Sequence, residues 1–219
     1  MPGEIHEQLA MFGRLGDRTS ILSLQFQTMN YPFLSQRSQF YSKLSMGILR
    51  NHSDASDSVL DVGTGAGFVA QRLQYELGAE VHCLDVVDLN QTDLPITLFD
   101  GENIPFENNR FNVSLGLCML HHAKESFHIH LLSEMKRVTS SKIIISEDIV
   151  FNGLDRGLQK CHEIQSKTDF KSDKLSFKSQ AGWERLFERI GLEVSDVISV
   201  PRGAIWWYPI PRCYFVLST

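Results

Sequence analysis

An α/β fold is predicted for this chain: a three-layer sandwich around a mostly parallel, seven-stranded sheet. Strand-like and helix-like segments alternate through the middle of the sequence, as a parallel sheet requires. Near residue 60 an apolar run passes through a glycine-rich turn into a helical pattern. The polar residues suited to binding fall at the carboxyl ends of the expected strands, where open α/β sheets bind ligands.

The elements follow in order. Residues 36–50 read as a helix, with Phe40, Leu44 and Ile48 at one-turn spacing. A polar linker, 51–58, leads to strand 58–62 and helix 68–77. Strands are expected at 80–85, about 96–99, and 112–117. Helix 124–138 and strand 142–147 come next, then helix 179–190, closed by Gly191. Strands at 193–200 and 212–218 finish the chain and are close enough to pair antiparallel. Only ten residues, Val86 to Pro95, separate the second and third strands, too few for a full crossover helix. Residues 1–50 are expected to form a partly helical arm, broken at Tyr31-Pro32, before a single domain over 51–219.

The turn is Val59-Leu60-Asp61-Val62-Gly63-Thr64-Gly65-Ala66-Gly67-Phe68-Val69-Ala70. Glycines let a backbone approach a ligand closely, and the N–H groups of a new helix favour an anionic group. Residues 65–70 fit the G-x-G-x-x-G/A dinucleotide fingerprint, with Asp85 about 20 residues on, so NAD is permitted locally. Two features point elsewhere. Asp61 precedes the glycines as D-x-G-x-G-x-G. Downstream stand Asp100-Gly101-Glu102-Asn103-Ile104-Pro105-Phe106 and Arg110-Phe111-Asn112-Val113-Ser114-Leu115-Gly116-Leu117-Cys118-Met119-Leu120-His121-His122.

Together these motifs resemble the class I S-adenosylmethionine (SAM)-dependent methyltransferases, and most closely the type 11 group that includes quinone-biosynthesis enzymes. The resemblance covers roughly Val59 to Asp148. It implies a Rossmann-like sheet whose terminal strand is reversed, and SAM as cofactor with S-adenosylhomocysteine as product. It also implies roles. Gly63, Thr64, Gly65 and Gly67 would pack against the amino-acid end and adenosine, and Asp61 would help hold the ammonium group. Asp85 would accept from the ribose hydroxyls, Val86 would face the adenine, and Asp100, beside Gly101, would accept from its amino group. Leu117 and Cys118 would line the methyl-transfer position. The chain departs from the family pattern at Thr139-Ser140-Ser141, where a proline-glycine turn is usual.

Other candidates have competing structural explanations. His121 or His122 can serve as a general base, since neutral imidazole accepts a proton near pH 7; either can equally cap the next helix. His128 and His130 share no helical face with them, so no metal is expected. Glu147-Asp148 ends a strand at the active rim and can contact substrate or form an ion pair, with Arg156 as a candidate partner. The aromatic loop around Trp206, Trp207 and Tyr208 is either packing or a lid.

Bulk properties bound the function. At 219 residues the chain suits one domain, and 42% hydrophobic content is globular. A net charge of −5 argues mildly against a nucleic-acid partner. Four cysteines without a C-x-x-C pair read as reduced thiols of a cytoplasmic protein. No run approaches the ~20 apolar residues of a membrane span. Three functions remain: methyl transfer from SAM to a small-molecule acceptor, a non-catalytic SAM-binding module, or an NAD(P)-dependent oxidoreductase.

Overall fold

The computed structural model describes residues 32–158, 160, 176–202 and 210–219, with 32–38 by backbone alone. Residues 1–31, which include most of the expected arm, lie outside the described residues. So does the aromatic loop at 203–209.

Helix α1 (Pro32–Leu49) starts on a proline, whose missing N–H costs nothing in a first turn. Strand β1 (Ser58–Val62) leads into α2 (Phe68–Arg72), which widens into a π-helical turn over Leu73–Leu77. Then come β2 (Glu80–Asp85), β3 (Ile96–Leu98) and β4 (Phe111–Leu117). A 3₁₀ turn (Leu120–His122) precedes α3 (Glu125–Val138), which runs directly into β5 (Thr139–Asp148). Helix α4 (Gln180–Arg189) is capped by the Ser179 side chain accepting from the Gly182 N–H. Strands β6 (Glu193–Val200) and β7 (Arg212–Ser218) complete the sheet. No helix stands between β2 and β3, as the short spacing requires. β5 is longer than expected, because Thr139, Ser140 and Ser141 join it.

The seven strands lie in the order β3-β2-β1-β4-β5-β7-β6. The first five are parallel; β7 runs antiparallel to both β5 and β6. This is a Rossmann-like sheet with a reversed strand.

Alternation along the strands builds a core on each face. Leu60, Val62, Ile143 and Ile145 pack with Leu131, Leu132 and Met135 of α3 and Trp183 and Phe187 of α4. Val59, Val113, Leu115 and Ile144 pack instead with Met46 and Leu49 of α1 and Leu73. The chain thus forms three layers. Among the described residues no helix is long and apolar enough to cross a membrane.

Leu60 is 0% exposed and Leu98 46%. Leu60→Ala is therefore expected to cost about 2–5 kcal/mol in urea denaturation. Leu98→Ala should stay within about 0.5 kcal/mol.

Candidate active site

The sheet reverses its order of connection at β1, with β2 on one side and β4 on the other. The crevice at the carboxyl ends of β1 and β4 is the switch point where such sheets take a ligand. The glycine turn crosses it. Both the Gly63 and Thr64 N–H groups donate to the Leu84 carbonyl, at 2.8 and 3.2 Å, drawing the turn over the end of β2.

Two buried carboxylates then fix the turn. Asp61 accepts from the Thr64 hydroxyl at 2.7 Å. Asp85 Oδ2 accepts from the Gly65 N–H at 2.8 Å, and its Oδ1 from the Val86 N–H at 2.7 Å. The glycines serve different ends. At Gly63 (φ 70°) an added Cβ would lie 2.9 Å from the Met119 Cβ, so this glycine lets β1 and β4 close together. At Gly65 (φ 55°) an added Cβ would meet nothing within 4 Å, which leaves space over the turn. Gly67 (φ 81°) begins α2.

These residues fit the group the resemblance implies. Burial, with Asp85 nearby, pushes the Asp61 carboxyl up to about 7 against the Thr64 hydrogen bond. A carboxylate so short of solvation is suited to an ammonium ion. Burial also raises Asp85, against the N–H groups of Gly65, Val86 and Val87. Its oxygens keep further lone pairs for a diol, since an ionised carboxylate offers about four acceptor sites. The Val86 side chain is 6% exposed and belongs to the core cluster with Val62, Leu84 and Phe99.

Asp100 is exposed and closes a tight turn, accepting from the Glu102 and Asn103 N–H groups at 2.8 Å each. Gly101 (φ 81°) lies in the left-handed region. The loop is anchored from α3. Glu134 accepts from the Ile104 N–H at 3.0 Å, and Arg137 donates to the Ile104 and Phe106 carbonyls at 2.9 and 2.8 Å.

Leu117 and Cys118 are half-buried at the end of β4. Cys118 has φ 58°, a conformation a side chain adopts at a cost, and its N–H donates to the Ser146 carbonyl at 2.7 Å. Burial pushes its thiol up to about 12, so it stays protonated and is no nucleophile near neutral pH.

Beyond Cys118 the turn carries the histidine pair. His121 Nδ1 lies 2.6 Å from Glu147 Oε2, with the side chains 2% and 0% exposed. His122 is half-buried, its ring 4.2 Å from that of His121. His128 points elsewhere: its Nε2–H clamps the turn by donating to the Leu120 carbonyl at 2.8 Å. Arg212, rather than Arg156, is the partner of Asp148, reaching its Oδ1 through Nε and Nη2 at 3.0 and 2.8 Å. The Arg212 guanidinium also lies 4.6 Å from the centre of the Tyr41 ring. The Glu147–His121 and Asp148–Arg212 pairs join residues 26 and 64 apart, which no local pattern reveals.

Residues 60–144 match the type 11 family model described as Methyltransferase domain. Residues 60–144 thus form a methyltransferase domain. Solved structures share its fold. A SAM-dependent methyltransferase from Archaeoglobus fulgidus aligns with TM-score 0.64 at 13% identity, covering 87% of this chain and 100% of its own. A chain from the Haloferax volcanii complex with the Trm112 methyltransferase activator aligns with TM-score 0.65 at 14% identity, over 92% and 98%. A Methanosarcina mazei SAM-dependent methyltransferase gives 0.62 at 12% identity, over 78% and 96%. No curated protein sequence matches. The methyltransferase domain therefore takes SAM as its cofactor.

Two outcomes test the geometry of this methyltransferase domain. Gly65→Ala should fold, losing about 1–2 kcal/mol to its left-handed backbone, and should weaken S-adenosylhomocysteine binding. Gly63→Ala should lose more stability, because its new Cβ also strikes Met119. Thermal denaturation and calorimetry separate the two. Binding should also weaken as pH falls through 7. Protonated Asp61 must then release its proton to meet the ammonium, up to about tenfold in affinity per pH unit. Asp61→Asn should flatten that dependence.

Proposed function

We propose that this protein transfers the methyl group of SAM to a small-molecule acceptor by in-line displacement. SAM supplies a methyl group already activated by its sulfonium. The protein's residues therefore have to hold, align and dehydrate rather than create a leaving group. The observation that carries the reading is the space over Gly65, bordered by the buried carboxylates of Asp61 and Asp85 at the switch point. Asp61 holds the ammonium, and Asp85 the ribose diol while pinning the turn. Asp100, with Gly101, meets the adenine amino group. Gly63, Thr64 and Gly67 shape the turn, and Val86 contributes backbone beside the adenine. Leu117 and Cys118 wall the transfer position.

The net charge of −5 favours a small acceptor over a polyanion. The order of the three motifs favours kinship with the quinone-biosynthesis group. The free thiols of Cys83, Cys118 and Cys213 favour a reducing, cytoplasmic setting.

Calorimetric titration with SAM, S-adenosylhomocysteine and NAD in parallel tests this. Micromolar binding of the two sulfur compounds and none of NAD is expected. Asp85→Ala should reduce S-adenosylhomocysteine affinity by about 10–100-fold through lost hydrogen bonds to a charged group. Binding of NAD alone would overturn the proposal. Binding of both sulfur compounds with no transfer to any acceptor would reduce the protein to a SAM-binding module.

A further inference from the structure

The loop that joins β2 to β3 holds no helix and folds back onto the glycine turn. The Gln91 N–H donates to the Ala66 carbonyl at 3.1 Å. Leu94 is buried and packs with Ala70 of α2 and Cys83 of β2. Beside these anchors the Asn90 side chain is pinned at both ends of its amide. Its Oδ1 accepts from the Thr92 N–H at 3.0 Å and from the Thr92 hydroxyl at 2.8 Å. Its Nδ2 donates to the Leu94 carbonyl at 2.5 Å. The amide therefore cannot swing aside without breaking the loop's own bonds.

What this pinned loop covers is Gly67. An added Cβ there would lie 2.5 Å from Asn90 Oδ1 and 2.8 Å from Thr92 Oγ1. Gly67 is buried, whereas Gly65 is half-buried and open on its Cβ side. In the G-x-G-x-x-A pattern of residues 65–70, the second glycine is the one whose missing side chain admits a dinucleotide's pyrophosphate. Here that approach is filled by the chain itself. The filling atoms are also the wrong kind for an anion. Asn90 Oδ1 only accepts, and the Thr92 hydroxyl has given its proton to it. A phosphate oxygen arriving there would meet lone pairs, with the exposed carboxylates of Asp88 and Asp93 on the same loop.

We propose that Asn90 and Thr92 are specificity-determining residues of the cofactor site: they close the phosphate approach at Gly67 and restrict the turn to a nucleoside cofactor that carries no phosphate. This rests on the reading of the same turn as the SAM site. SAM uses the open side at Gly65, which the loop leaves clear. A nucleotide entering the same crevice has to set its phosphates against Asn90 and Thr92, or hold them away from the turn and forgo its N–H groups. An ionised group left without donors in this way loses about 10–100-fold in affinity. The pattern is dinucleotide-like in sequence and closed to dinucleotides in structure.

The test compares adenosine and ADP as competitors of S-adenosylhomocysteine, in wild type and in Asn90→Ala/Thr92→Ala, whose folding is checked by thermal denaturation. In wild type, ADP should compete about 10–100-fold more weakly than adenosine. In the double variant the ratio of ADP to adenosine affinity should rise by about tenfold. The ratio is the readout because a loop that merely kept the turn in shape would weaken both ligands together. Should the double variant unfold, Asn90→Ala alone takes its place, with the same direction expected. ADP competing as well as adenosine in wild type overturns the inference. So does a ratio unmoved in the folded variant, or ADP still failing to compete there, either of which places the exclusion in the carboxylates of Asp61 and Asp85 and leaves the cofactor reading standing. Failure of S-adenosylhomocysteine to bind wild type overturns the SAM reading itself, and this inference with it.

Discussion

Four carboxylates lie out of reach of water along one edge of the sheet, and each must be met by a donor. Asp85, Asp61, Glu147 and Asp148 end or nearly end β2, β1 and β5. Left unpartnered, such groups would cost several kcal/mol apiece. The rest of the site is organised by how they are met. Asp61 takes a hydroxyl and Asp85 takes backbone N–H groups, which shapes the glycine turn. Glu147 takes an imidazole and a backbone N–H, which sets the turn after β4. Asp148 takes a guanidinium, which fixes the start of β7. Only the last is a permanent ion pair, and it lies farthest from the glycine turn in strand order.

The parts legible in the sequence are those written in local patterns. Seven strands, the glycine turn and the missing helix between β2 and β3 all follow from runs and spacings of neighbouring residues. The polar start of β5 was not legible, because Thr139, Ser140 and Ser141 do not look like a buried strand. Thr139 is nevertheless 1% exposed, and its hydroxyl is satisfied by Ser114 and the Met135 carbonyl. The partners of Glu147 and Asp148 were hidden for a different reason. Arg212 faces Asp148 because antiparallel register brings them opposite, and register between distant strands is a property of the folded sheet. Arg156 was attractive only for being close in sequence.

The candidate site shows the same division. Asp61, Asp85 and the glycines were identifiable as residues, but not what each one touches. Asp85 looked like a ligand residue and is also the clamp on Gly65. Gly63 looked like a ligand-approach glycine and also admits Met119. Cys118 gave no sign in sequence of its left-handed backbone; such strain is tolerated where surrounding contacts enforce it, here the bond to the Ser146 carbonyl.

The two borders of the sheet differ in kind. β3 has three residues, so it offers a passing chain very few open backbone groups. β6 has eight, long enough to template another strand, but its pairing slips between Val194 and Asp196, and Glu193 and Asp196 are exposed along it. Shortness guards one border; irregularity and negative charge guard the other. Edge-to-edge growth is thus disfavoured at both borders, and a substitution that straightened β6 and removed Asp196 would open a template for it while leaving the site, centred on β1 and β4, untouched.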